Sequence, residues 1–153
     1  MIVRRALATE VNVILALERA CAEAPHWSES GWTATLLGRD EDEEPVRATF
    51  VAESGGQVIG FAVVSCFDGV VELESVAVAE AERRRGVGRA LCSETIDWSR
   101  ARGAWKIELE VRASSGGALA LYGSLGFQKS GRRLEYYRDP MEDAILMSSR
   151  LHI

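Results

Sequence analysis

One run of this 153-residue chain has residue types and a spacing that suit a functional site. The run is Arg83-Arg84-Arg85-Gly86-Val87-Gly88-Arg89. Glycines at a helix start let backbone N–H groups approach a ligand closely, because no Cβ intervenes. Those first N–H groups have no partner inside the helix, and the helix dipole adds partial positive charge there. With the arginines as further donors, the run predicts a binding site for an anion such as a pyrophosphate.

Two better-known phosphate-binding loops do not match this run. A Rossmann fingerprint needs a third glycine where Leu91 stands, and no parallel βαβ pattern precedes it. A Walker A loop needs Gly-Lys-Ser/Thr, which the sequence lacks. The alternative without a ligand is a surface helix whose arginines are solvated, and the run alone leaves both interpretations open.

The cysteines and histidines predict no metal site. Cys21, Cys66 and Cys92 are far apart and lack Cys-x-x-Cys spacing, which favours free thiols in a reducing compartment. His26 and His152 lie at opposite ends of the chain, with no carboxylate or cysteine cluster at ligand spacing. We therefore expect these residues to be packing or surface residues.

Composition and charge narrow the class of protein. A content of 47% hydrophobic and 27% charged residues is typical of a globular protein, and no apolar run approaches the length of a membrane span. The formal net charge of −5 argues against nucleic acid as the main partner. The acidic run at 40–44 indicates a solvated loop, with attraction of a basic partner as the alternative. We expect a cytoplasmic protein without a membrane contact.

Hydrophobic periodicity predicts the elements that position the run. The turn signals Gly55-Gly56 and Asp68-Gly69 separate three extended segments and indicate an antiparallel meander. We expect strands at 1–5, 47–53, 57–67, 70–78, 105–111, 127–137 and 144–151. We expect helices from residue 9 to a point before Pro25 and at 28–37, 86–102 and 115–125.

The helices also carry expectations about their faces. Thr9 with Glu10 is expected to cap the first helix, whose buried face would hold Val13, Ile14, Leu17 and Ala20. The resulting order is β-α-α-β-β-β-α-β-α-β-β, uninterrupted by a linker or repeat. One mixed α+β domain over residues 1–153 is the simplest arrangement.

Two constellations together carry a resemblance to a known family. The arginine–glycine run matches the Gln/Arg-x-x-Gly-x-Gly/Ala signature of the GNAT superfamily of N-acetyltransferases. A second constellation, formed by residues 109–114 and 118–127, resembles the bacterial ribosomal-protein-alanine (RimI-like) branch. Its two segments have the sequences Leu-Glu-Val-Arg-Ala-Ser and Ala-Leu-Ala-Leu-Tyr-Gly-Ser-Leu-Gly-Phe. Trp27-Ser28, Val76-Ala77-Val78, Tyr136-Tyr137 and residues 143–147 match as well, so that the resemblance covers nearly the whole chain.

The resemblance implies a GNAT fold, with a mostly antiparallel central sheet flanked by helices, and acetyl-CoA as co-substrate without a metal. It implies direct attack of an amine on the thioester, without a covalent acyl-enzyme. The splayed end of the strand at 70–78 would hold the pantetheine arm, with backbone near Val76 and Val78 orienting the thioester. The turn that would hold the pyrophosphate comprises Arg83, Arg84, Arg85, Gly86, Val87, Gly88 and Arg89.

The same resemblance assigns the reacting groups. By motif position, Glu110 is the first candidate for the general base that neutralises the amine, and Tyr122 for the acid that protonates the thiolate. Glu72 is a rival base at the position that histone-type GNAT enzymes use, and Glu74 shares its face by strand parity. Ser115 stands where the branch usually has asparagine. Serine can cap the following helix, and we place it among the cofactor-binding residues.

The acceptor is predicted from both chemistry and resemblance. An α-amine titrates near 7.7–8.0 and a lysine near 10.4, so that an N-terminus needs much less help from a base. Tyr136 and Tyr137 resemble the loop that clamps a peptide in N-terminal acetyltransferases. Trp27 and Trp32 form either the opposite wall of that groove or part of the core.

Three hypotheses about function follow. The first is an acetyltransferase of a protein N-terminus, with an Ala-like first residue and a ribosomal protein as acceptor, working as a monomer or weak dimer. The second is a small-molecule amine or lysine acetyltransferase. The third is a non-catalytic acyl-CoA sensor, which the retained Glu110 and Tyr122 disfavour.

Overall fold

The computed structural model describes residues 1–21, 29–36 and 45–151. His26, Trp27, Ser28 and His152 lie outside the described residues, as does the acidic run at 40–44. The expectations for these positions therefore have no structural outcome.

The described residues form helices and strands in the predicted order. The strands are β1 (Ile2–Arg5), β2 (Val46–Ser54), β3 (Gln57–Phe67), β4 (Val70–Val78), β5 (Lys106–Arg112), β6 (Gln128–Tyr137) and β7 (Glu142–Arg150). The helices are α1 (Val11–Ala20), α2 (Glu29–Leu36), α3 (Val87–Ala101) and α4 (Gly116–Ser124). Short 3-10 turns at Ala8–Glu10 and Glu80–Glu82 precede α1 and α3.

The strands form one sheet in the order β1-β2-β3-β4-β5-β7-β6. Every neighbouring pair is antiparallel except β4 and β5, which the crossover through α3 makes parallel. The two predicted hairpin turns are present, and their residues have positive φ: 57° and 80° at Gly55-Gly56, 50° and 78° at Asp68-Gly69. Such turns match the twist of the strands they join, which explains the meander β2-β3-β4.

Each face of the sheet carries its own apolar core. One core includes Leu91 of α3, Ile107 of β5 and Tyr122 of α4, and we call this side the α3/α4 face. The other includes Ile14 of α1 and Trp32 of α2, and we call it the α1/α2 face. The mostly antiparallel sheet between helices confirms the predicted fold class.

The expected start of the first helix is wrong, and its expected buried face is confirmed only in part. Thr9 does not cap it, because the chain first makes the 3-10 turn, where the Glu10 carboxylate accepts the Leu7 N–H at 2.8 Å. Val13 is 39% exposed, and Ala20 is also exposed. Ile14 is buried and Leu17 packs against the same core, as expected, but the buried stripe also contains Leu15 and Glu18.

Trp32 belongs to the core and not to the wall of a groove. Its side chain is fully buried, its ring packs edge-on against Phe61 with centroids 5.1 Å apart, and its indole N–H donates to Glu18 Oε1 at 2.9 Å. This hydrogen bond gives the buried side chain of Glu18 a polar partner, which a buried polar group needs. Of the two interpretations of Trp32, the core interpretation is confirmed.

Candidate active site

The sheet forks where its two parallel strands part. β4 pairs with β5 only from Val70 to Leu73, opposite Lys106 to Leu109. Beyond this point β4 continues along β3, and β5 continues along β7. A bulge leaves Glu74 as an extra residue between Leu73, opposite Val64, and Ser75, opposite Val63. Bulges bend a strand locally, so this one lies where β4 turns away from β5.

The fork opens a cleft of about 660 Å³. It brings together eight of the residues that the sequence singled out: Glu72, Glu74, Val76, Glu110, Ser115, Tyr122, Tyr136 and Tyr137. Val78 and the run at 83–89 are not among the residues that line it. They lie at the end of β4 and the start of α3.

The cleft joins the two faces of the sheet. Leu109 belongs to the core under α3 and α4, so Glu110, the next residue of β5, points to the α1/α2 face. Glu72 also points there, because Leu73 beside it belongs to the same core as Leu109. Tyr122 reaches the cleft from α4, on the opposite face. The candidate bases and the candidate acid therefore approach one cavity from opposite sides.

The carboxylates of the cleft have different partners. Arg47 of β2 donates two hydrogen bonds of 2.8 Å to the Glu74 carboxylate, which is therefore held in a structural ion pair. Glu110 forms an ion pair with Arg133 of β6 at 3.0 Å. The pKa of Glu72 is raised by partial desolvation and then by the negative charges of Glu74, Glu110 and Glu108, against which Arg47 acts weakly.

A distortion of β6 turns two consecutive tyrosines into the cleft. Neighbouring residues of a regular strand point to opposite faces, but the pairing of β6 with β7 is interrupted between Arg133 and Tyr137. Glu135 has a φ of 51°, and its N–H donates to Asp143 Oδ1 at 2.9 Å. This contact lowers the pKa of Asp143 and holds the distorted backbone. From the sequence, Asp143 was predicted only as part of a family motif, without this structural role.

The two tyrosines contact each other, and Tyr136 also contacts the candidate base. Their rings meet edge-on with centroids 5.1 Å apart. A hydrogen bond from Tyr136 to the Glu110 carboxylate raises the pKa of Tyr136. Burial is the main cause that raises the pKa of Tyr137 to about 12. Both phenols are therefore neutral hydrogen-bond donors at physiological pH.

Arg112 is a positioning residue that sequence reasoning missed, although it stands in the quoted motif. Its guanidinium lies over the ring of Tyr137, 4.4 Å from the centroid. It also pairs with Glu142 at 3.4 Å and donates to the carbonyl oxygens of Pro140 and Arg138. One side chain thus ties β5 to the β6–β7 turn that lines the cleft. The contact between Arg112 and Tyr137 joins residues that are far apart in the sequence, so local spacing could not predict it.

The α4 side of the cleft carries Ser115 and Tyr122. Ser115 occupies the N-cap position, but its hydroxyl makes no cap hydrogen bond, so the expected side-chain cap is not formed. Its Oγ is buried and has no hydrogen-bond partner among the described residues. Tyr122 is 9% exposed and packs against Phe127 with ring centroids 5.8 Å apart. It is both a core residue and a cleft residue.

The predicted anion turn has the backbone of a helix start. Arg84 and Gly86 have φ values of 63° and 80°, and the first α-helical bond runs from the Ala90 N–H to the Gly86 carbonyl at 3.0 Å. The N–H groups of residues 87–89 thus lie in the unpaired first turn. A Cβ added to Gly88 would lie 3.4 Å from Leu121 Cδ2 and 3.9 Å from Val78 Cγ2, which places this turn against α4 and β4.

Most contacts that the arginines of the turn make among the described residues are exposed; the exception is the Arg83 guanidinium, which lies 3.9 Å from the Sγ of the buried Cys21. Arg83 donates to the Val78 carbonyl at 3.3 Å, and Arg85 pairs with Glu82 at 3.5 Å. Arg89 donates to the Ser124 hydroxyl of α4. Exposed pairs of this kind contribute little to stability, so an anion can recruit these side chains at small cost.

A forked sheet whose cleft holds candidate acid and base residues, with a helix start suited to an anion near the end of β4, is the arrangement expected of an acyltransferase. The sequence model of the "Acetyltransferase (GNAT) family" matches residues 12–127. The chain belongs to this family, whose acetyltransferases use acetyl-CoA as co-substrate.

Curated relatives extend the match over most of the chain. The chain is 35% identical over 119 residues to the [ribosomal protein bS18]-alanine N-acetyltransferase of Escherichia coli K12, covering 76% of this chain and 79% of the relative. It is 35% identical over 150 residues to the N-alpha-acetyltransferase RimI of Mycobacterium tuberculosis, covering 91% and 92%.

A solved structure agrees with this assignment. The ribosomal-protein-S18-alanine N-acetyltransferase of E. coli superimposes with a TM-score of 0.85 at 30% identity, over 99% of this chain and 94% of the other. In the described part of the chain, no helix has the length and apolarity that crossing a membrane requires.

Proposed function

We propose that this enzyme transfers the acetyl group of acetyl-CoA to the N-terminal α-amine of a protein, with an Ala-like first residue and a ribosomal protein as acceptor. The observation that carries the proposal is the cleft through the fork, which Glu110 and Tyr122 line from opposite faces of the sheet. Because ribosomal proteins are made in the cytoplasm, we assign the reaction to that compartment.

The residues of the cleft fit acetyl-CoA. Past Leu73, β4 pairs with β3 but no longer with β5, so backbone groups near Val76 are available to the amides of a pantetheine arm. The buried Ser115 hydroxyl lacks a partner among the described residues and can bind the same arm. The turn at 83–89 would hold the pyrophosphate through its first-turn N–H groups and arginines.

The proposed roles follow from the two sides of the cleft. Acetyl-CoA supplies a thioester, so transfer forms a C–N bond and breaks a C–S bond. Glu110 takes a proton from the acceptor's ammonium group, directly or through one water, which exposes the nitrogen lone pair. When the C–S bond breaks, Tyr122 gives its hydroxyl proton to the departing thiolate, as a phenol that titrates near 10 can do. The second proton, which the nitrogen loses as the amide forms, passes through solvent to the Tyr122 phenolate and restores the hydroxyl.

The α-amine is favoured over lysine for two reasons. The relatives named above are named for acetylation of an N-terminal alanine or α-amine. An α-amine is also about a tenth neutral at pH 7, and its deprotonation costs about 3.4 kcal/mol less than that of a lysine. Tyr136 and Tyr137 stand beside Glu110 at the cleft, where they would flank the first residues of a peptide.

Lysine acetylation with Glu72 as base is the second candidate function. The raised pKa of Glu72 supports it, because a base works best when its pKa approaches the operating pH.

Two peptides distinguish these functions. One begins with a free alanine and contains no lysine, and the other is blocked at its N-terminus and contains one lysine. We expect faster acetylation of the first by acetyl-CoA, measured by mass spectrometry. Faster acetylation of the second would contradict the N-terminal assignment and favour Glu72. Acetylation of neither peptide would contradict both functions and indicate a small-molecule amine.

A further inference from the structure

Ser75 of β4 is a buried hydroxyl that none of the roles above uses. The residue is 6% exposed, and its Oγ has no hydrogen-bond partner among the described residues. It lines the cleft. Buried polar atoms in native proteins are nearly always hydrogen-bonded, so an unpaired one at a binding cleft indicates a partner that arrives with the ligand.

The register of the sheet shows which face Ser75 occupies. It lies directly opposite Val63 of β3, and Val63 lies opposite Thr49 of β2. Residues directly opposite in antiparallel strands point to the same face. Val63 belongs to the core under α1 and α2, so Ser75 points to the α1/α2 face, as Glu110 does.

The neighbours of Ser75 make a hydroxyl there unusual. Phe61, Val63 and Ala77 on the same face are fully or almost fully buried apolar residues. An alanine or valine would continue this core without an unpaired polar atom. The Glu74 bulge precedes Ser75 directly and sets it at the open edge of the fork.

We propose that Ser75 binds the acceptor, and that its hydroxyl oxygen accepts a hydrogen bond from the amino nitrogen lying beside Glu110. An attacking amine directs its lone pair at the thioester carbon, and its N–H groups need acceptors. Glu110, directly or through a water, serves one N–H, and Ser75 serves another. Ser75 keeps its own proton throughout. The inference rests on the proposed function for the position of the amine in the cleft.

Replacement of Ser75 separates this role from a structural one. Ser75→Ala removes an unpaired buried hydroxyl, so thermal stability should stay equal or rise, whereas loss of a structural hydrogen bond would lower it. Because the contact exists both before and during the reaction, KM for the acceptor should rise about tenfold with kcat within about twofold. KM for acetyl-CoA should not change.

Two matched variants serve as controls. Thr49 carries another buried hydroxyl without a partner among the described residues, in the same cross-strand row but away from the residues that line the cleft. Thr49→Val should therefore leave both KM values unchanged. Ser115→Ala removes the hydroxyl on the other side of the cleft. It should raise KM for acetyl-CoA and leave KM for the acceptor unchanged.

Steady-state kinetics of the wild type and the three variants tests the inference, on whichever acceptor the wild type acetylates fastest. A higher acceptor KM for Ser75→Ala alone supports it. Unchanged acceptor KM in Ser75→Ala, or a melting temperature several degrees below that of the wild type, overturns it. Preference of the wild type for the blocked lysine peptide contradicts the proposed function, and the Ser75 comparison is then made on that peptide.

Discussion

Gly60 of β3 links the packing of the sheet to the anion turn. A Cβ at this position would lie 3.0 Å from the Ala77 carbonyl oxygen and 3.2 Å from both Leu91 Cδ1 and Val87 Cγ1. These distances are shorter than ordinary van der Waals contacts, and the carbonyl belongs to the backbone of β4. Gly60→Ala therefore forces β3 and α3 apart by a few tenths of an ångström.

The expected effect is a moderate loss of stability. Overpacking of a core costs about 1–3 kcal/mol, and alanine recovers about 0.4–1 kcal/mol by restricting the unfolded chain. A net loss of about 0.5–2 kcal/mol lowers the melting temperature by about 1–8 °C in a protein of this size. Because Val87 is the first residue of α3, the shift also displaces the anion turn and should raise KM for acetyl-CoA.

Thermal unfolding with a matched glycine provides the assay. Gly123 lies on α4, and an added Cβ would meet no heavy atom within 4 Å. Gly123→Ala should raise the melting temperature slightly, since alanine is the better helix former by up to about 1 kcal/mol. Equal melting temperatures for Gly60→Ala and the wild type would refute the close approach of β3 to α3.

Three further substitutions test the roles assigned to the cleft and the turn. Tyr122→Phe retains the packing against Phe127 and should lower kcat about 100-fold or more with little change in melting temperature; a wild-type rate would assign protonation of the thiolate to another group. Gly86→Asp places a negative charge at the proposed pyrophosphate site and should abolish measurable acetyl-CoA binding by calorimetry. Gly56→Asp is its control, because both glycines have a φ of 80° and open space around them. Equal affinities of the two variants for acetyl-CoA would contradict an anion site at Gly86. Glu110→Gln should slow the reaction most below pH 7.7, where few α-amines are neutral. The rate of this variant should recover partly toward pH 9, where solvent removes the proton. A loss of rate that does not depend on pH would indicate that Glu110 is not the base.

The sequence predicted the elements well where periodicity and turn residues agree. The strands β2, β3 and β4 lie within one residue of their expected bounds, because glycine turns mark their ends. Ile107, Leu109 and Val111 alternate into the core as expected. The first helix was predicted less well, since the tertiary bond between Glu18 and Trp32 places a charged residue in its buried face.

Local sequence patterns could not predict the shape of the cleft. The Glu74 bulge and the positive φ of Glu135 arise where strands must separate or turn side chains, and neither position carries a glycine as a signal. Arg112 contacts Tyr137 across 25 residues of sequence, and Asp143 holds the backbone at Glu135 across 8 residues. The spacing rules for helices and strands do not cover such separations. Ser75 was missed because an isolated serine in a strand looks ordinary until its burial is known.

A crystal structure with coenzyme A and a peptide that begins with alanine would test most directly whether the two substrates meet through the fork. We predict the peptide's amino nitrogen on the α1/α2 face, within hydrogen-bond reach of Glu110 directly or through one water. The coenzyme A sulfur should lie beside the Tyr122 hydroxyl, with the pyrophosphate at the turn at 83–89. A peptide bound on the α3/α4 face, or an amino nitrogen out of reach of Glu110 even through a water, would contradict this arrangement.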